Sequence, residues 1–159
     1  MADGDALLDD EVVLRRFNPG DEDHWSIPDD GAAPRLRTLA FIFNRSSDGT
    51  RMEVSVYQDR KLPALGIGRA DCLNDDQQGW DIAVTTPKTV RALRRDQVPD
   101  QPNPFSLLEH AYPDGKIGAP LRDGAHAEIF HTLTGKPAAR WESLIASAFR
   151  VDTLRSPTP

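Results

Sequence analysis

A single cysteine, Cys72, stands among 159 residues, so no intrachain disulfide can brace the fold. Its neighbour is Asp71, whose charge opposes thiolate formation, and a reactive thiol needs a cation or a helix N-terminus beside it. Cys72 therefore reads as a buried, inert side chain. Long apolar runs are missing as well. The longest is Leu39-Ala40-Phe41-Ile42-Phe43, five residues, where a membrane-spanning helix takes roughly 20. The opening Met1-Ala2-Asp3-Gly4-Asp5 has neither the positive flank nor the apolar stretch of a secretion signal. These absences together point to a cytoplasmic protein with no membrane association.

Phosphate-binding and nucleophile-elbow motifs are absent too. Gly66-Ile67-Gly68 has no third glycine at the dinucleotide-binding offset. Gly135-Lys136 is followed by Pro137 instead of Ser or Thr and lacks the upstream glycine of a P-loop. No Gly-x-Ser-x-Gly occurs. No cofactor is expected. An excess of basic charge is likewise missing: the formal net charge is −6. Residues 1–30 hold ten acids against Arg15 and Arg16, net −8, and residues 31–159 hold 15 acids and 17 bases, net +2. An acidic leading segment on a nearly neutral body is not the footprint of a nucleic-acid binder; it can dock on the body's own arginines or on a basic partner protein.

What is present is a patterned globular chain, 38% hydrophobic and 28% charged, long enough for one ordinary core. Residues 1–10 read as a flexible acidic segment, 11–152 as a single α+β domain and 153–159 as a frayed tail. Glu11–Phe17 supplies a first strand. Arg35–Arg45 reads as a central strand, apolar on both faces. Ser46-Ser47-Asp48-Gly49 is a turn into Thr50–Gln58, whose Met52, Val54 and Val56 alternate with outward Arg51, Glu53 and Ser55. Further strands are expected after Gly66-Ile67-Gly68, running through Leu73, and around Trp80, Ile82 and Val84. Thr86-Pro87 opens a helix toward Asp96, and Asn103-Pro104 a second one through Ala111. Residues 125–133 fit strand or helix. Ala138, Trp141, Leu144, Ile145, Ala148 and Phe149 recur at helical spacing, with Pro137 in the first turn and Arg150 at the end. The expected fold is a mainly antiparallel, curled sheet of five or six strands under this C-terminal helix, with two short Pro-initiated helices at an edge.

Four constellations carry chemistry. His126-Ala127-Glu128 resembles the His-Ala-Glu of zinc-dependent nucleoside and base deaminases, where the histidine binds zinc and the glutamate moves protons. That chemistry also needs two downstream cysteines in a Pro-Cys-x-x-Cys turn, and the one cysteine here lies upstream. A different metal site could draw on His110, His126, Glu128 and His131, since imidazole and carboxylate suit several divalent metals. On a strand, however, His131 points away from His126 and Glu128. Lys88, Arg91, Arg94 and Arg95 form a basic stripe able to hold phosphates or an acidic partner, with a solvated face or a dock for the chain's own acidic arm as the alternatives, and Arg35 and Arg37 flanking the central strand read the same way. His24-Trp25 offers an interface anchor, or a lid on its own core. The reading that follows is a protein-binding module without catalysis, of accessory or inhibitor/immunity type, with a small metal-assisted hydrolase as the alternative.

Overall fold

The structure is a computed structural model and describes residues 4–26, 35–74, 76–94, 101–110, 120–152 and 154. In chain order its elements are β1 (Val13–Phe17), β2 (Trp25–Ser26), β3 (Arg35–Leu36), β4 (Asn44–Arg45), β5 (Met52–Gln58), β6 (Asp81–Thr85), α1 (Pro87–Arg91), β7 (Ser106–Glu109), β8 (His126–His131), α2 (Gly135–Glu142) and β9 (Arg150–Val151). Seven of these strands build one sheet among the described residues, ordered β7-β8-β5-β1-β6-β9 with β4 paired to β5. Every pairing in it is antiparallel. The chain is a mixed α+β single domain with a C-terminal helix, as its patterning implies. The sheet is neither closed nor strongly curled, so the expected curl does not form.

The alternation in β5 sets the faces. Val54 and Val56 point to the main core, together with Val13 and Phe17 of β1, Leu107 of β7 and Ala127 and Ile129 of β8. Trp141 of α2, Phe41 and Ile145 close that core from above. The opposite face is not bare: Leu14, Tyr57, Ile82 and Val84 pack there with Leu62, Cys72 and Ala125. One sheet thus separates two apolar clusters, where the sequence had suggested a lone core. Where β1 and β5 part company after Leu14↔Tyr57, Arg15 fills the gap, giving hydrogen bonds to the Ser55 and Ala40 carbonyls at 3.0 and 3.3 Å.

Several expected elements take another form, each for a local reason. The apolar run after Arg37 is a 3₁₀ turn, Thr38–Phe41, which buries Ala40 and Phe41; apolar residues on both sides came from helical spacing rather than from a central strand. In place of a strand after Gly68 through Leu73, a 3₁₀ turn (Arg69–Cys72) forms there, and a second one (Pro63–Leu65) precedes Gly66, whose φ of 71° ends it. Arg69 ties them down, reaching Asp59 at 3.0 Å and Asp152 at 2.6 Å. Asn103 starts no second helix. Its side-chain amide donates to the Val90, Arg91 and Leu93 carbonyls and its Oδ1 accepts from Phe105 N, so it closes α1 and launches β7. The C-terminal helix stops at Glu142, short of Arg150. The Ser143 and Ser147 hydroxyls donate to the Arg140 and Leu144 carbonyls, a competition that tightens the chain into the 3₁₀ turn Ile145–Ala148; Arg150 then enters β9.

Two expectations for ends and turns can be placed directly. Thr86 caps α1, its Oγ1 accepting from Thr89 N with Pro87 in the first turn. In the β4–β5 turn, Asp48 accepts from Ser46 and Thr50, bonds that hold its carboxyl down at about 2, and Gly49 adopts φ 74°. Residues 4–10 are not a free arm. Gly4, Leu7 and Asp5 exchange backbone hydrogen bonds with Glu109 and Leu107 along the outer edge of β7, and Leu7 is buried. The expected C-terminal tail falls, apart from Leu154, outside the described residues.

Candidate functional site

Residues 126–131 form a strand, and the two-residue period sorts the histidines. His131 faces the main core, 5.2 Å from the Phe43 ring. Its Nδ1 accepts from Leu133 N at 3.1 Å and its Nε2 meets Glu142 Oε1 at 2.9 Å. Since a backbone N–H can only donate, Nε2 carries the proton and donates it to Glu142. His131 thereby pins α2 to β8.

His126 and Glu128 lie on the other face, across from Tyr57 and Ser55 of β5 in the strand register. Both are buried. His126 Nε2 is 2.9 Å from Ser55 Oγ, and its Nδ1 is 2.9 Å from the His110 carbonyl oxygen. The His110 ring stacks edge-on at 5.5 Å and the Tyr57 ring at 6.0 Å. Burial, which disfavours the imidazolium, lowers the pKa of His126.

Glu128 belongs to a pair of carboxyls. Burial first, then the hydrogen bond and negative charge of Glu53, push it up to about 8. Arg51 opposes this, reaching Glu128 Oε2 and Glu53 Oε2 at 3.2 Å each. Its guanidinium also lies 4.0 Å over the Phe130 ring. One cation is shared between two acids, so a proton resides on the pair at neutral pH. His110 Nε2 stands 3.6 Å from Glu128 Oε1.

The four proposed metal ligands therefore do not converge. His110, His126 and Glu128 share one side of the sheet and His131 the other. Among the described residues no group of three or more His, Cys, Asp or Glu side chains is arranged to hold a metal ion. Cys72 is buried, and burial pushes its thiol up to about 11.

The recognition candidates are largely engaged by the chain itself. Trp25 leans on Phe17 with ring centroids 5.4 Å apart. His24 accepts from Asn18 N at 3.0 Å and meets Trp80 edge-on. On α1, Arg91 pairs with Asp9 at 2.5 Å. Arg94 folds back on the Arg91 and Leu93 carbonyls, and Lys88 is exposed. Arg95 lies outside the described residues. The basic stripe is partly a dock for the chain's own acidic segment.

Two features escaped the sequence. Ser55 was legible as an outward residue of an alternating strand, but nothing in the chain announces that β8, some seventy positions later, would lay His126 beside it. The second is a groove of about 490 Å³ between β3 and the turn Ile145–Ala148, lined by Arg35, Arg37, Thr38, Ser143, Ser147 and Phe149 among others. Following Thr38 in the chain, Leu39 and Ile42 are 48% and 53% exposed. Comparison with protein-family models, curated proteins and solved structures gives no significant match to the chain. No helix among the described residues is long and apolar enough to cross a membrane.

Proposed function

We propose that this chain is a protein-recognition module that takes an acidic, apolar-anchored segment of a partner protein into the groove beside Arg35 and Arg37. The observation that carries the reading is the character of that groove: its charged lining groups among the described residues are two exposed arginines. Leu39 and Ile42, large apolar side chains left exposed shortly after Arg37 in the chain, would cover an apolar anchor. Isolated exposed apolar residues are ordinary, but two of them in one short segment with like charges before them suit a partner of opposite sign. A basic partner is disfavoured because Asp9 and Glu11 already pair with Arg91 and Arg60. A cytoplasmic setting, where a lone buried thiol stays reduced, fits the same reading.

Fluorescence anisotropy with labelled peptides tests this. Peptides alternating Asp or Glu with Leu or Phe are expected to bind, more weakly as salt rises. The double charge reversal Arg35→Glu with Arg37→Glu should weaken binding by roughly tenfold or more. Equal binding by that variant, or tighter binding of lysine-rich counterparts, would overturn the assignment.

A further inference from the structure

The contacts of His126 fix its tautomer. The His110 carbonyl can only accept, so Nδ1 carries the proton. Nε2 of the neutral ring is then left with a lone pair, and Ser55 Oγ at 2.9 Å donates to it. A hydroxyl hydrogen-bonded to an imidazole, whose other nitrogen is held by a third group, is the working arrangement of an activated nucleophile. The orienting group here is a backbone carbonyl, which the β7–β8 pairing places.

We propose that Ser55 and His126 form a nucleophile–base pair that takes the acyl group of small esters. Ser55 Oγ bonds to the ester carbonyl carbon as its proton passes to His126 Nε2. The bond from that carbon to the alcohol oxygen breaks, and the departing alkoxide takes the proton from Nε2. Water, deprotonated by the same nitrogen, then cleaves acyl-Ser55. The sum is ester plus water giving carboxylic acid plus alcohol, with no redox partner. Ser55 is half-buried, whereas His126 is buried.

The surroundings suit the step. Glu128, directly across from Ser55, shares a proton with Glu53 and presents less negative charge to a developing oxyanion than two free carboxylates would. Arg51 adds a cation 3.2 Å from Glu128. The groups facing His126 pull its titration both ways. The His110 carbonyl, through its hydrogen bond, favours the charged ring while the His110 imidazole disfavours it, and Asp123 from Leu121–Ala125 and Glu53 from β5 favour it. Burial is the largest influence and keeps the ring neutral, and Tyr57 and Glu128 also lie on its side of the sheet.

The intact chain, treated with a fluorophosphonate and separately with 4-nitrophenyl acetate, gives the test. One adduct per chain, mapped to Ser55 by peptide mass spectrometry, is expected. The rate should rise with pH and level off below the ordinary imidazole value of about 6.5. His126→Gln should slow it on the order of 100-fold or more, with circular dichroism reporting whether the variant folds. Nitrogen-15 spectra of the unaltered chain should show His126 protonated at Nδ1 above that pH. Absence of an adduct, labelling of Ser55→Ala at the original rate, or a proton on Nε2 in place of Nδ1 would each overturn the proposal.

Discussion

Glu128 puts a measurable load on the native state. A folded carboxyl raised to about 8 from 4.5 keeps its proton through a range where the unfolded chain has lost it. The stability this contributes is fully present below about pH 4.5 and drains away as pH climbs through 8. Glu128→Gln cannot lose that proton, so urea midpoints of the variant should fall less between pH 5 and pH 9 than those of the parent chain. Parallel declines would show that another group governs this range. The residue itself stood out early because His-x-Glu is a recognisable pattern. Its partner Glu53 is, in the sequence, only an outward side chain of an alternating strand. Carboxyl pairing depends on which strand lies alongside, and residue order does not carry that information.

At the level of elements, the strands with strict two-residue alternation were legible, because one buried face leaves no other register. Short Pro- and Asn-led segments were not. Asn103-Pro104 fits a helix start as well as it fits a cap for the preceding helix, and the choice rests on α1 lying within reach. The bonds from Asn103 to three carbonyls at the end of α1 imply that Asn103→Ala leaves those acceptors to water or unpaired. A loss of about 1–3 kcal/mol follows for such a change, readable as a lowered urea midpoint. An unchanged midpoint would mean that α1 closes without it. The same ambiguity explains the 3₁₀ turn Thr38–Phe41: five consecutive apolar residues fit a strand or a helical turn alike, and burial of Ala40, Phe41 and Phe43 decides their path.

For the molecule as a whole, the leading segment matters more than its composition suggested. Residues 4–10 lie against the outer edge of β7, and Leu7 enters the main core. Glu11, Arg60, Lys61 and Glu109 lock the corner with contacts of 3.0–3.2 Å. Removing residues 1–9 bares that edge, and bare edges recruit other strands. Sedimentation velocity should then show concentration-dependent association, while the full chain stays at one size over the same range; a truncated chain of constant size would count against an edge-covering role. A different consequence follows from the position of β8, which slots between β5 and β7 although both precede it. During translation the ribosome releases Met52–Gln58 well before His126–His131. At about 5–20 residues per second that interval is roughly 4–15 s. Throughout it the nascent polypeptide displays an apolar strand without its main neighbour, so its most vulnerable moment comes while it is being made, when a chaperone at the exit tunnel would find a seven-residue target.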